Sequence, residues 1–231
     1  MNILAMDTSS LTATVAVLTD EKLLGEFSVS NKLTHSQTIM PMTDTLLKTA
    51  SMQISDIDVF AVSVGPGSFT GLRIGMATAK TFAQALNKPI IGVSSLEAIA
   101  QNISFTDAII CPIMDARRSE VYNALYKNGN EISVPRALHI EELLDELKDK
   151  KVVFAGDGVL IHKEKILKNE NWCIAPEHLI LPKASSLAYA ALKRARNNDF
   201  DDLYSLDPIY LRKSQAERER EELLKKQEVS L

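Results

Sequence analysis

The sequence predicts an α/β protein built from two related domains in tandem. In the first half, apolar segments with strand and helix periodicity follow the order three strands, helix, strand, helix, strand, helix. A similar pattern starts again near residue 109, where IICPIMD resembles the early segment ILAMD. Later, VVFAGDG at 152–158 resembles AVSVGPG at 61–67. We therefore predict a first domain at 1–104, a second at 105–213, a hinge at 101–106 and a charged tail at 214–231.

The first domain opens with three predicted strands, at 2–7, 12–18 and 23–29, which form an antiparallel meander. The first strand ends in Asp7 and is followed directly by the hydroxyl residues Thr8 and Ser9. Thr34 and Gln37 have the spacing of a capping box and predict the start of the first helix.

The segment 60–86 organises the domain. A short apolar strand at 60–64 enters a corner made by Gly65, Pro66 and Gly67, and a helix capped by Ser68 or Thr70 continues to Asn87. Backbone N–H groups at the start of a helix attract anions, so the corner resembles a phosphate loop. However, no GK[ST] sequence follows it, and Pro66 lacks an N–H donor. A phosphate cradle and a purely structural turn both remain open at this point.

Small residues recur at every fourth position of this helix, at Gly71, Gly75, Ala79 and Ala83. A glycine inside a helix costs about 1 kcal/mol relative to alanine, so the two glycines indicate the close approach of another backbone. That backbone belongs either to the chain's own sheet or to a second molecule, and the sequence alone leaves both alternatives open.

The second domain continues after 109–115 with a returning strand at 121–126 and a helix at 140–147. The strand at 152–158 runs into a glycine turn, and a late helix covers 187–197. In the tail, Ser214 and Glu217 form a capping box, but the segment has no apolar stripe and predicts a helix that is marginal by itself.

Composition indicates a globular protein without a membrane span. Of 231 residues, 45% are hydrophobic and 24% are charged, and the formal net charge of −4 argues against a broad nucleic-acid surface. The first strand begins by Ile3, so we expect no signal peptide and a cytoplasmic location. Cys111 and Cys173 lie in apolar stretches, which predicts two reduced core thiols.

The candidate chemistry is that of a nucleotide site. Asp7 with Thr8 and Ser9 fits a strand-end carboxylate that positions Mg²⁺, although we favour the interpretation that the carboxylate caps its own turn. Asp115 is its counterpart in the second half, but bulky side chains follow it where a glycine turn would be needed, and Asp157 adds negative charge. The four histidines lie far apart in sequence, so no metal site is expected, and no nucleophile motif supports a peptidase.

Four stretches closely resemble the bacterial TsaB family, also called YeaZ. They are MDTSS at 6–10, THSQ at 34–37, the long segment VGPGSFTGLRIGMATAKTFAQALNKPIIGVSSLEA at 64–98, and MDARRSEVY at 114–122. The resemblance implies two tandem actin-like/Hsp70-like ATPase domains of the ribonuclease H-like βββαβαβα type, the second of them degenerate. It also implies degenerate phosphate loops, with Asp7, Thr8, Ser9, Gly65 and Gly67 as the residues concerned.

The resemblance implies a non-catalytic scaffold that activates TsaD and works with the ATPase TsaE in making N6-threonylcarbamoyladenosine at position 37 of tRNAs that read ANN codons. In TsaD two histidines of the matching segment bind metal, whereas Ser95 and Ile99 occupy those two positions in this sequence. The chain alone is not expected to bind a cofactor tightly, and the interface of the complex is a possible site for ATP or ADP. The alternative is an active ATP-dependent kinase or ATPase of the same superfamily.

In this family the N-terminal helices form the pairing surface, both for the homodimer and for the heterodimer with TsaD. Any contact with tRNA is expected to be indirect or weak, and no membrane is involved. The resemblance therefore moves the small-residue stripe toward an intermolecular role, and it predicts that Gly75→Leu abolishes TsaD binding but leaves the monomer folded. The predicted interface consists of Ile39, Met42, Leu46, Gly71, Leu72, Gly75, Met76, Ala79 and Ala83.

Overall fold

The computed structural model describes residues 1–31 and 33–212 and contains two lobes, each built on one five-stranded sheet. In the first lobe, β1, β2 and β3 form the antiparallel meander, and β4 and β5 extend the sheet parallel to β1 in the order β3-β2-β1-β4-β5. The elements of this lobe are β1 (Asn2–Asp7), β2 (Ala13–Thr19), β3 (Leu23–Val29), α1 (His35–Thr49), a 3₁₀ turn (Ile54–Asp56), β4 (Val59–Gly65), α2 (Phe69–Leu86), β5 (Ile90–Ser94) and α3 (Ser95–Gln101).

The second sheet repeats the first. Its order is β8-β7-β6-β9-β10, again with three antiparallel strands followed by two parallel ones. The predicted internal repeat and the two-lobed α/β fold are therefore confirmed. The elements are β6 (Ile109–Asp115), β7 (Glu120–Lys127), β8 (Asn130–His139), α4 (Ile140–Leu147), β9 (Val152–Ala155), α5 (Gly158–Ile166), β10 (Trp172–Ile174), α6 (Glu177–Ile180) and α7 (Ala184–Ala195).

Strands β1, β2 and β4 of the first sheet are buried on both faces. Leu4, Phe60 and Val62 face a core closed by α1 and α2, while Ile3 and Ala5 face a core closed by α7. Helix α7 therefore packs on the first sheet, although its residues fall in the range predicted for the second domain. The reason is the row of apolar and small side chains along α7, which lies flat on β1 and β2.

Helix α3 joins the lobes. Its Leu96 and Ile99 share one buried cluster with Met114 and Tyr122 of the second sheet. The chain between Gln101 and Ile109, where the hinge was predicted, thus follows a helix that is packed against both sheets.

Local signals in the sequence account for the ends of α2. The Ser68 hydroxyl accepts a hydrogen bond from the Gly71 N–H at 3.3 Å, and Asn87 ends the helix in the left-handed conformation with φ 49°. At α1, the Thr34 N–H donates to the side-chain oxygen of Gln37 at 3.2 Å, as the capping box predicts.

One cysteine prediction is wrong. Cys111 is buried in the second core, but Cys173 is exposed because β10 is a three-residue strand at the edge of its sheet. The tail at 214–231, including the capping box at Ser214, lies outside the described residues. Within the part of the chain that the structure describes, no helix is long and apolar enough to cross a membrane.

Candidate functional site

The glycine corner after β4 lies directly beside the turn that follows β1. The Ser68 N–H donates to the Ser9 carbonyl at 2.7 Å, and the Thr8 hydroxyl donates to the Gly71 carbonyl, also at 2.7 Å. The Gly65–Pro66 peptide bond at this corner is cis. The structure thus brings the phosphate-loop candidates of the first lobe together. The Ser68 N–H and the Thr8 hydroxyl, however, already donate to backbone carbonyls of the same region.

The glycines of this region leave room for the β1–β2 turn of the same chain. A Cβ atom at Gly67 would overlap the Ser9 carbonyl, one at Gly71 would overlap the Thr8 carbonyl, and one at Gly75 would lie 2.5 Å from Thr8 Oγ1. The close approach that the stripe indicated is therefore internal. The expectation that Gly75→Leu leaves the monomer folded is corrected, because the added side chain would collide with Thr8.

Asp7 lies beneath this turn and is fully buried. Its Oδ1 accepts the Ser9 N–H at 2.7 Å, whereas its Oδ2 has no hydrogen-bond partner among the described residues. Burial raises the pKa of Asp7, and the bonds from Ser9 oppose that rise. The carboxyl group therefore caps its own turn, the second of the two sequence interpretations.

A cleft of about 790 Å³ separates the two lobes and has walls from both. The first lobe contributes the hydroxyl residues after β1, the glycine corner and the start of α2, and Asp7 is not among the lining residues. The second lobe contributes charged residues at the ends of β6 and β9 and apolar residues of α5. The lining includes Ser9, Ser10, Leu11, Gly67, Ser68, Phe69, Thr70, Asp115, Arg117, Tyr122, Asp157, Leu160, Ile161 and Arg212.

The charged groups that line this cleft have hydrogen-bond or ion-pair partners within the chain. The Arg117 N–H donates to Asp115 Oδ1 at 2.8 Å, and the Arg117 guanidinium lies 3.6 Å from the other oxygen of Asp115. Asp157 Oδ1 accepts the Asp115 N–H at 3.0 Å, and Arg212 pairs with Glu120 at 2.7 Å. Burial, with the nearby Asp115 charge, raises the pKa of Asp157. The carboxyl groups of Asp115 and Asp157 thus both line the cleft.

The glycine turn of the second lobe also packs against its own sheet. A Cβ atom at Gly156 would overlap the Ile113 carbonyl, and one at Gly158 would lie 3.0 Å from it. Gly156 and Gly158 thus face β6 as Gly67 and Gly71 face the end of β1.

Potential metal ligands are dispersed. Among residues 1–31 and 33–212, no three His, Cys, Asp or Glu side chains form a group that could hold a metal ion. Ser95 and Ile99 are both fully buried, and the Ser95 hydroxyl lies 2.6 Å from that of Ser63. His35 Nε2 bonds the Ser10 carbonyl at 2.8 Å, so it holds the turn after β1.

The predicted interface residues all lie inside the chain. Every one of the nine is buried, because the apolar seam of α1 and α2 is the side that packs on the first sheet. The surface that these two helices offer is a different one. It consists of Met40, Ala77, Thr78, Thr81 and Phe82, which line a shallow depression of about 250 Å³ between the helices. We call these five residues the outer face.

The outer face is apolar and has small residues at its centre. Met40 is 47% exposed, and Ala77 and Thr81 are exposed one helical turn apart. The Thr81 hydroxyl is bonded to the Ala77 carbonyl at 2.7 Å, which leaves its methyl group as the outward contact. A second helix can approach such a surface closely. In the sequence, this face corresponds to α2 residues that directly follow the buried seam, such as Ala77 after Met76.

Comparison with known proteins gives a consistent result. The family model described as TsaD, tRNA N6-adenosine threonylcarbamoyltransferase, matches residues 23–220. The tRNA threonylcarbamoyladenosine biosynthesis protein TsaB of Bacillus subtilis is 37% identical over 227 residues, which cover 94% of this chain and 96% of that protein.

Solved structures agree. YeaZ from Pseudomonas aeruginosa superimposes with a TM-score of 0.80 at 26% identity, covering 91% of this chain and 99% of that one. The activator of 2-hydroxyisocaproyl-CoA dehydratase from Clostridium difficile, solved with bound ADPNP, gives a TM-score of 0.55 at 11% identity over 86% of this chain and 97% of its own. That second likeness concerns the fold alone.

Proposed function

The chain belongs to the TsaB family of tRNA threonylcarbamoyladenosine biosynthesis proteins, and we propose that it serves this pathway as a non-catalytic subunit that pairs with TsaD. In this proposal TsaD, together with the ATPase TsaE, transfers the threonylcarbamoyl group from its adenylate to N6 of adenosine 37. The present chain supplies the docking surface that holds TsaD in its active arrangement.

The observation that carries the proposal is the state of the interlobe cleft. An enzyme that uses ATP in such a cleft needs a solvent-facing carboxylate for Mg²⁺ and free donors for the phosphates. Here Asp7 is buried with a raised pKa, and Arg117 and Arg212 are each paired with a carboxylate. Asp157 would repel a triphosphate. These features support a cleft that no longer binds nucleotide. Any ATP or ADP in the complex would therefore bind at the interface with the partner.

The outer face supports the pairing. A helix surface with exposed Met40, partly exposed Phe82 and small residues between them matches the composition of interface cores, which favour Met and aromatic side chains. The two helices present these side chains side by side, so two helices of a partner would complete a four-helix contact. The same surface would serve a homodimer when TsaD is absent.

Reconstitution tests the proposal. Threonylcarbamoyladenosine formation is measured on tRNA with purified TsaD and TsaE, in the presence and in the absence of this chain, and with this chain alone. The proposal expects product only when the chain accompanies TsaD. Equal rates without the chain, or product from the chain alone, would show that it is not an activating subunit.

A further inference from the structure

The last described segment, residues 199–212, leaves α7 and runs across the first lobe to reach the second. We call it the C-terminal strap. Its near end is fixed at β5, where Asp201 Oδ2 accepts the Gly92 N–H at 2.7 Å and also pairs with Arg194. Leu203 and Leu206 then pack against the core under α1 and α2.

The strap is anchored a second time at the glycine corner. The Ile209 N–H donates to the Val64 carbonyl at 2.7 Å, and a Cβ at Gly65 would lie 2.8 Å from the Ile209 carbonyl. The Tyr210 ring stacks on Phe69, with centroids 4.4 Å apart and planes within 4°, and the Tyr210 hydroxyl accepts a 3.0 Å bond from Arg73 Nε. Tyr210 is therefore the final first-lobe anchor.

One residue later the strap reaches the other lobe. Leu211 packs on the cluster that contains Met114 and Tyr122, and the Arg212 guanidinium donates to the Ala116 carbonyl while pairing with Glu120. The Arg212 side chain is only 16% exposed, and charge-assisted bonds of this kind are stronger than neutral ones. Phe69, Ala116 and Arg212 all line the cleft, so the crossing lies at its edge.

We propose that the strap fixes the separation of the two lobes across the cleft, with Tyr210 and Arg212 as its two anchors. Two rigid bodies joined at one place can turn about that joint, as in hinge closure. Here α3 provides the first joint and the strap provides a second crossing beside the cleft, so the remaining rotation is the one about the line through these two crossings. Opening of the cleft about any other axis is accordingly restrained by the chain itself.

Spin-label distances across the cleft test this directly. Labels are placed at Leu11→Cys and Ile161→Cys, which are 77% and 59% exposed and stand on opposite lobes. The exposed Cys173 is replaced by serine, and Cys111 stays because it is buried. Distance distributions are recorded by pulsed electron resonance for the parent, Arg212→Ala, Tyr210→Ala and the double variant.

Arg196→Ala is the matched control, because Arg196 also bonds a carbonyl and a carboxylate, both of Asp20, but within the first lobe. The proposal expects Arg212→Ala to shift the distribution to longer and broader distances, and Tyr210→Ala to shift it less, because the bond from the Ile209 N–H to the Val64 carbonyl still holds the strap. The double variant should shift no further than Arg212→Ala, because release from the second lobe already removes the second crossing. The control should match the parent.

An unchanged distribution in Arg212→Ala, or a double variant whose shift equals the sum of the single shifts, would overturn the proposal. Melting curves establish that each variant is folded. If Arg212→Ala fails to fold, Arg212→Gln takes its place, because it retains a donor for the Ala116 carbonyl and loses only the ion pair to Glu120. We then expect a distance distribution broader than that of Arg196→Ala. A distribution that coincides with that of Arg196→Ala would contradict the proposed role of the strap.

Discussion

The hydroxyl group of Thr8 donates a 2.7 Å hydrogen bond to the carbonyl oxygen of Gly71, in the first turn of α2. This bond draws the start of the helix onto the turn after β1, and Gly71 and Gly75 are the positions where the approach is closest. The contact explains why a helix tolerates two glycines, and it places the small-residue stripe within the chain's own core.

A double-mutant cycle on Thr8 and Gly75 tests this contact. Gly75→Ala brings a Cβ to 2.5 Å from Thr8 Oγ1, so the free energy of unfolding in urea should fall by about 1–2 kcal/mol after the better helix propensity of alanine is included. In a Thr8→Ala background the collision is removed, and Gly75→Ala should cost clearly less. Strict additivity of the two changes would show that they do not meet.

The buried carboxyl group of Asp7 predicts a specific pH dependence. Its pKa is raised by burial above the ordinary 3.8, so the folded state binds the proton more tightly than the unfolded state. Its contribution to stability is therefore complete below 3.8 and is lost as the pH rises through the folded pKa. Asp7→Asn, which keeps an oxygen for the Ser9 N–H, should gain stability relative to the parent as the pH rises through this window.

Urea unfolding of the parent and Asp7→Asn between pH 3 and pH 8 measures this difference. The exposed Asp44, replaced by asparagine, serves as the control for a surface carboxylate. Parallel curves for the parent and Asp7→Asn would mean that Asp7 titrates normally and is not desolvated.

The two cysteines should differ sharply in reactivity. Cys173 is exposed, whereas Cys111 is buried, and burial raises the pKa of the Cys111 thiol so that little thiolate is available. A thiol reagent should modify one cysteine per native chain and two after denaturation in guanidinium. Replacement of Cys173 by serine should remove the native reaction, and rapid modification of two thiols in the native chain would contradict the described packing.

The isolated chain should bind Mg-ATP weakly or not at all. Asp115 and Asp157 line the cleft, and Arg117 and Arg212 are held by carboxylates. Titration calorimetry of the chain with Mg-ATP should show no saturable heat, and Asp7→Asn should give the same trace. Stoichiometric binding, with turnover that Asp7→Asn abolishes, would favour an active ATPase or kinase instead.

Local patterns in the sequence predicted much of the architecture. The repeat was visible because strand-end residues and glycine corners recur in both halves, and the helix ends were set by Ser68, Asn87 and the Thr34 capping box. Strands β8 and β10 and helices α5 and α6 were not predicted. β10 has three residues, too few for periodicity, and α5 exposes Leu160 and Ile161, which blurs its apolar face.

Two features depended on tertiary contacts that no local pattern reveals. The return of α7 to the first sheet is a long-range event, so domain limits drawn from sequence order placed it in the wrong lobe. Similarly, the apolar seam through Ile39 and Met76 marks the buried side of a helix whether the cover is the chain's own sheet or a partner. The resemblance implied a partner interface on these two helices, which stays a prediction, and it could not choose which face of the helices would be used.

The most direct test of the central claim compares two threonines in the reconstituted reaction. Thr81 and Thr45 are both exposed on their helices, and each donates its hydroxyl hydrogen to the carbonyl four residues earlier, but only Thr81 lies on the outer face. The rate of threonylcarbamoyladenosine formation is measured as increasing amounts of the parent, Thr81→Arg or Thr45→Arg are added to TsaD and TsaE. The account predicts that Thr45→Arg follows the parent curve, while Thr81→Arg requires at least about tenfold more protein, equivalent to ~1.4 kcal/mol of binding free energy. Identical curves for the two variants, or a full rate before any chain is added, would contradict it.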